Sequence, residues 1–324
     1  LISWCLESSQ LLAFSCLRKR WSIRDLLDCL SISEDLLKCH LFRLIQAGAD
    51  ISVNGQIVCF DRPMMTYDVG QIQSALDLSF PVLSVFWSMP STNDFCLSLD
   101  CPDSLEFCLS EYQSFGRGRR NQRWYGAFAD SILLSYRRKV PSAVNFSSYS
   151  LLLALLITEH VRSTWPNLPV QLKWPNDILL DGRKLMGILV ERDYSSSEAI
   201  LVVGLGCNFN RVRVSSSSLE AGSAVGFLDH VSDVNKTFLS IELMKILRES
   251  LRMFLERGFE CFVKKYDELH VFQGQEVRYF ENNIAKIGRV DGVSACGRLR
   301  VISNGVCQLI SSGSISKIRA CCDT

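Results

Sequence analysis

The segment Gly116-Arg-Gly-Arg-Arg-Asn-Gln-Arg-Trp124 holds four arginines and two glycines in nine residues, and no carboxylate occurs between Glu111 and Asp130. Guanidinium groups are planar forks that match the paired oxygens of a carboxylate or phosphate. Glycine permits positive φ and exposes backbone N–H groups that can line an anion site. The pattern suits a bound anion, with Arg117, Gly118, Arg119 and Arg120 as candidates. It lacks the Gly-Lys-Ser/Thr ending of a P-loop and the spacing of a dinucleotide fingerprint. A solvated basic loop or an RNA-contacting arginine tract has the same composition.

A second cluster lies in KWPNDILLDGRKLMGILVE, residues 173–191. Lys173, Asn176, Asp177 and Lys184 surround a tight hairpin closed at Asp181-Gly182, which brings polar groups to one surface. Lys184 follows that turn and so belongs at a strand mouth, and Gly187 leaves room for a flat ligand to approach the backbone. Asp177 is equally a turn former, and Trp174 equally a core residue. Two smaller sets complete the candidates. Ser91-Thr92-Asn93 after Pro90 reads first as a helix cap. In Gly204-Leu-Gly-Cys-Asn208, at a strand end, the glycines allow close approach and Asn208 offers a hydrogen bond.

These segments need a scaffold. At 324 residues, with 48% hydrophobic and 21% charged residues, the chain can bury sizeable cores in two or three domains. Its formal charge of +1 confines any electrostatic function to local patches. Fourteen cysteines include no C-x-x-C pair and the four histidines are scattered, which argues against a zinc site and for buried thiols in a reducing cytoplasm. The apolar run Leu151–Ile157 is too short to span a bilayer, and Arg18-Lys19-Arg20 follows rather than precedes the apolar LLAFSCL. A cytoplasmic protein with no membrane association is expected.

Over residues 1–66, Ser22 can cap a helix through IRDLLDCL, and Ser31 or Ser33 a second through EDLLKCHLFRLIQAG, which Gly48 stops. A hairpin about Asn54-Gly55 follows. This order suggests a winged helix-turn-helix, with a plain helical cap as the alternative. Residues 80–268 alternate strands and helices, with one helical run from Thr237 to Leu269, giving an α+β class with helices packed on a sheet. Residues 271–320 read as short strands of a small β-barrel, and Ser215–Ser218 as a surface loop.

In combination and in this order, STN, EYQSFGRGRR with a following Trp, KWPNDIL, RKLMGILVE and GLGCN resemble biotin protein ligases. The resemblance covers about residues 80–320, and the N-terminal unit extends it to the bifunctional bacterial members that also repress the biotin operon. It implies a catalytic domain related to class II aminoacyl-tRNA synthetases and a C-terminal SH3-like barrel. It also implies activation of biotin by Mg-ATP to biotinyl-5′-AMP, then transfer to a lysine of the biotin carboxyl carrier protein of acetyl-CoA carboxylase.

By the same resemblance, Arg117, Gly118 and Arg119 close over biotin and the adenylate phosphate. Ser91, Thr92, Asn93 and Gln113 hold the ureido ring, and Gly187 and Gly204 line the pocket. Lys184 bridges the biotin carboxylate and the α-phosphate, so Lys184, Arg117 and Arg119 are the catalytic candidates. Arg119, Arg120, Trp124, Asn176, Lys184 and Asn208 fall on the nucleotide side, with Asp177 toward magnesium. The sequence departs from the family where Asn121-Gln122 replace the usual Gly-Arg.

The resemblance further implies a homodimer formed on adenylate binding, and operator DNA as a partner. Residues 1–70, however, carry seven Lys/Arg against eight Asp/Glu, a poor balance for phosphate contacts. Two alternatives remain: a DNA-binding regulator with weak or lost ligase activity, and a lipoate or octanoyl transferase of related fold.

Overall fold

The structure, a computed structural model, describes residues 2–3, 6–100, 104–126, 128–193, 198–210, 224–231, 234–281, 284–311, 313 and 315–317. The stretch Ser215–Ser218 and residues 318–320 lie outside the described residues. The chain packs into two compact units, Leu1–Val140 with Glu191–Met244, and Pro141–Val190 with Lys245–Thr324.

In the first unit, local signals act where the sequence puts them. Ser22 Oγ accepts from Asp25 N at 3.0 Å and starts helix Ile23–Leu30; Ser33 Oγ accepts from Leu36 N at 3.3 Å and starts helix Glu34–Gln46. Gly48, at φ +94°, ends the second helix in a left-handed conformation. Strands Ile51–Asn54 and Ile57–Phe60 pair antiparallel about Gly55, and Arg20–Ser22 adds a third strand beside Ile57–Phe60. Leu11, Leu12, Leu26, Leu37 and Leu44 are fully buried, each stabilising by about 1.5–3 kcal/mol relative to exposure. The same core continues into Trp87, Phe128 and Ala129, so the helices share apolar contacts with the strands that follow.

Those strands run in the order Ile2–Ser3, Leu83–Ser88, Phe107–Ser110, Ser131–Pro141, Glu198–Asn208. Leu83–Ser88 and Phe107–Ser110 are parallel, whereas Phe107–Ser110 and Ser131–Pro141 are antiparallel, so the sheet is mixed. Every residue of Phe107–Ser110 is buried, as expected of a strand covered on both faces. Helix Thr92–Leu97 packs against Glu198–Asn208. Its open C-terminal end is satisfied by the buried Arg137, whose guanidinium donates to Cys96 O at 2.8 Å and Leu99 O at 2.9 Å.

The second unit holds an antiparallel meander of Val170–Lys173, Asp177–Leu180 and the greater part of strand Arg183–Asp193, covered by the apolar face of helix Tyr149–Thr164. A five-stranded antiparallel sheet follows in the order Val306–Ile310, Leu299–Ser303, Ile284–Val293, Glu276–Glu281, Ile315–Lys317. The single helical run expected from Thr237 to Leu269 is broken. Helix Lys236–Arg257 ends at Gly258, whose φ of +66° is a left-handed stop, and a 3₁₀ turn precedes helix Val263–Leu269.

Candidate active site

Five polar side chains gather in the first unit. Ser91 Oγ caps helix Thr92–Leu97 through Asp94 N at 3.3 Å, as its local sequence suggests. Gln113 Oε1 accepts from Thr92 N at 2.6 Å and Thr92 Oγ1 at 3.0 Å. Ser135 Oγ lies 2.7 Å from Thr92 Oγ1 and 2.6 Å from Asn93 Oδ1, which points the Asn93 amide N–H₂ the other way, toward Glu191 Oε2 at 2.8 Å. Ser91, Thr92, Asn93 and Ser135 are all buried. Neutral donors and acceptors held this rigidly suit a polar, uncharged ring such as a urea.

The glycines of the strand Glu198–Asn208 face protein rather than open space. A Cβ on Gly204 would collide with the Asn93 amide, and one on Gly206 would stand 2.5 Å from the Trp124 indole. The close approach expected of a ligand is thus made by Asn93 and Trp124. Asn208 is buried at the strand end.

The arginine segment is a narrow loop. Trp124 N donates to Gly116 O at 2.9 Å and Gly118 N to Gln122 O at 2.7 Å, with Arg117 and Arg123 bridged between them. Its glycines do not use positive φ. Gly118 is extended at φ −120°, and Gly116 is required because a Cβ there would lie 2.7 Å from the Trp124 carbonyl. The left-handed residue is Arg120, at φ +54°, in the apical turn Arg119–Asn121. Arg117 lies at the base, paired with Glu191 and Asp94; Arg123 donates to Ser114 O at 2.8 Å.

In the second unit, Asp181 and Gly182 both take positive φ and close the hairpin that Asp-Gly announces. Lys184 Nζ pairs with Asp177 Oδ1 at 2.7 Å, and Gly187 stands opposite Asp177 in the strand register. Asn176 Nδ2 donates to Ile188 O at 2.7 Å, locking the turn after Trp174. Trp174 is core: it is buried, and its Nε1 donates to Gly297 O at 2.9 Å. Lys184 and Asp177 keep a partly exposed cation and carboxylate side by side.

Residues 85–208 match the model of the biotin/lipoate A/B protein ligase family. The bifunctional ligase/repressor BirA of Escherichia coli strain K12 is 28% identical over 294 residues, covering 89% of this chain and 90% of that protein. The biotin–[acetyl-CoA-carboxylase] ligase of Paracoccus denitrificans is 35% identical over 105 residues, 31% of this chain and 42% of that one. In fold, the chain is similar to the biotin protein ligase from Aquifex aeolicus solved with biotin and ATP, with a TM-score of 0.60 at 22% identity, over 73% of this chain and 98% of that one. Residues 85–208 thus match a biotin/lipoate ligase domain, and the chain resembles the bifunctional biotin ligases along most of its length.

The residues that sequence reasoning missed are those bonded to the candidates. Ser135, Glu191 and Asp94 carry no motif of their own, although Glu191 ends the GILVE stretch and Asp94 follows Ser91-Thr92-Asn93 directly. Among the described residues no group of three His, Cys, Asp or Glu side chains forms a metal cage. Magnesium on a nucleotide commonly takes one or two protein carboxylates and completes its shell with phosphate oxygens and water. A single carboxylate such as Asp177 is compatible with that mode. No helix among the described residues is long and apolar enough to cross a membrane.

Proposed function

We propose that the protein is a biotin protein ligase and runs the two-step reaction that its resemblance to that family implies. A biotin carboxylate oxygen attacks the α-phosphorus of ATP and pyrophosphate leaves. The amine of a carrier lysine then attacks the acyl carbon of biotinyl-5′-AMP, and AMP leaves. The carrier is a biotin carboxyl carrier domain. The observation that carries this reading is the segregation of chemistry between sets. Neutral groups at Ser91, Thr92 and Asn93 are buried, the half-buried Gln113 is bonded to Thr92, and the set is preorganised. The cations of Arg119, Arg120 and Lys184 stand on a loop apex and a hairpin instead.

The neutral set holds the ureido ring through hydrogen bonds, without desolvating a charge. Lys184 stabilises the anionic charge shared between the carboxylate and the α-phosphate as the mixed anhydride forms. Asp177 keeps Lys184 oriented and is the group that would hold magnesium, whose chemistry is to neutralise the phosphates of ATP. Arg119 and Arg120, with Trp124, Asn176 and Asn208, serve the nucleotide. An arginine loop ordered over the adenylate keeps water from the anhydride. The experiment is pyrophosphate release from Mg-ATP by the purified chain on adding biotin, with lipoate as control, followed by labelling of a carrier domain. Release with lipoate but not biotin would replace this reading with lipoate transfer.

A second role, biotin-dependent operator binding by an adenylate-linked homodimer, is favoured by one arrangement. Helix Glu34–Gln46 follows a shorter capped helix and precedes a two-stranded wing. Charge argues the other way: Lys38 on that helix is tied to Glu34 at 2.7 Å, and Phe42 beside it is an exposed apolar group. A gel shift on the cell's own biotin-synthesis promoter, with and without biotin and ATP, separates the two.

A further inference from the structure

The arginines of the loop do not share one role. Arg117 meets Glu191 as a fork on a fork, with Nη1 2.9 Å from Oε1 and Nη2 2.9 Å from Oε2, and it pairs with Asp94 as well. One cation therefore stands between two carboxylates, and the local balance is negative. An incoming carboxylate or phosphate would have to displace a bidentate partner and approach a second anion, which is the wrong field for an anion ligand.

Glu191 reaches further. Its Oε2 also accepts from Asn93 Nδ2 at 2.8 Å, and Asn93 Oδ1 lies 2.6 Å from Ser135 Oγ. A chain of hydrogen bonds therefore runs Ser135–Asn93–Glu191–Arg117, from the sheet through the start of helix Thr92–Leu97 to the base of the arginine loop. A carboxylate has no donor, so it forces the Asn93 amide to present its N–H₂ to Glu191 and its oxygen to Ser135. The same carboxylate fixes the plane of the Arg117 guanidinium.

We infer that Arg117 is a positioning residue rather than an anion ligand, and that Glu191 is the staple that fixes both the base of the arginine loop and the orientation of Asn93. The inference rests on the reading above, in which the Asn93 turn holds biotin and the loop covers the adenylate. It leaves the anion to the apical Arg119 and Arg120 and divides one basic motif into an anchor and a flap.

A double-substitution cycle tests it on the full chain. Glu191→Gln and Arg117→Gln are each expected to raise the KM for biotin in pyrophosphate release roughly tenfold, with kcat changed less than about threefold, since one charge-assisted bidentate bond is lost and no reacting group is touched. The double variant is expected to match the singles rather than multiply them, because both remove the same bond. A direct anion ligand behaves otherwise. Arg117→Gln would then cost a further tenfold or more, and mainly in kcat, in the Glu191→Gln background, and that result overturns the inference.

A second measurement needs no ligand. Trypsin cleavage after Arg119, Arg120 or Arg123 in the ligand-free protein should quicken several-fold in Glu191→Gln. Unchanged cleavage also overturns the staple. If the parent protein releases no pyrophosphate with biotin, the ligase reading fails on its own, while the trypsin rates still decide whether Glu191 anchors the loop.

Discussion

Lys236 Nζ lies 2.5 Å from Glu111 Oε2, and neither side chain has more than 1% of its surface exposed. The other carboxylate oxygen accepts from Tyr67 N at 2.8 Å, and the ammonium sits 4.2 Å from the centre of the Tyr67 ring. Burial is the largest influence on both, pushing the Glu111 carboxyl up and the Lys236 ammonium down, while their attraction opposes it. Glu111 immediately precedes Tyr112 and Gln113, so the pair anchors the strand end from which Gln113 reaches Thr92.

Lys236→Met removes the only cation bonded to Glu111 among the described contacts and leaves a buried carboxylate unpaired. The expected loss is about 3–5 kcal/mol of unfolding free energy. Urea denaturation measures it; a loss under about 1 kcal/mol would show that the carboxyl is already protonated in the native protein.

Gly204→Ala places a methyl group against the Asn93 amide. Overpacking of this kind costs about 1–3 kcal/mol, and the cheapest relief is to swing Asn93 away from Ser135 and Glu191. Biotin affinity should fall at least tenfold, with ATP affinity little changed. Isothermal titration with each ligand reads the difference, and equal losses for both would mean the strand itself has shifted.

On the proposed function, Lys184→Ala takes away a cation aimed at charge that builds in the transition state. Such donors contribute roughly 3–4 kcal/mol, so adenylate formation should slow by about a hundredfold or more. Single-turnover adenylation is the assay. Near-normal rates would remove Lys184 from the chemistry.

On the proposed division of the loop, Arg119→Gly weakens the flap and spares the anchor. The protein should form biotinyl-adenylate yet release it, labelling lysines of a bystander protein such as albumin. Retained carrier specificity would show that Arg119 does not hold the adenylate.

His270 supplies the pH dependence. Its imidazole is buried beside Tyr266 and Phe272, with no hydrogen-bond partner at either nitrogen among the described residues. Burial first, then the Lys173 ammonium, lower its pKa from 6.5 to about 4. The unfolded chain thus binds a proton between those values that the folded chain refuses. The corresponding stability is fully present above pH 6.5 and is lost as the pH falls to about 4, of the order of 3 kcal/mol across the window. His270→Phe should flatten the urea midpoint over that range. An unaltered pH profile would show that His270 is not the source.

Much of the local architecture was legible beforehand because its causes are local. Ser22 and Ser33 cap helices through bonds to residues three positions on. Asp181-Gly182 turns a hairpin because its backbone takes positive φ at little cost. Gly258 is readable in the same way, yet the run from Thr237 to Leu269 reads as one helix. The roles of the glycines in the arginine loop were not legible. Positive φ was expected of them, but it falls on Arg120, and Gly116 answers to a carbonyl eight residues away.

The sequence by itself determined the inventory: a cationic loop, a hairpin bearing Asn176, Asp177 and Lys184, a small polar turn at Ser91-Thr92-Asn93, and the order that carries the resemblance to biotin protein ligases. Only the tertiary structure decided which of those groups are engaged, and by what. Arg117 meets Glu191 across 74 residues of sequence, and Asn93 meets Glu191 across 98. No propensity or spacing rule spans such distances, because long-range pairing depends on which strands lie side by side once the core has formed. A guanidinium bound to two carboxylates is a strut. The same group without them is an anion site, and the chain's linear order does not distinguish the two.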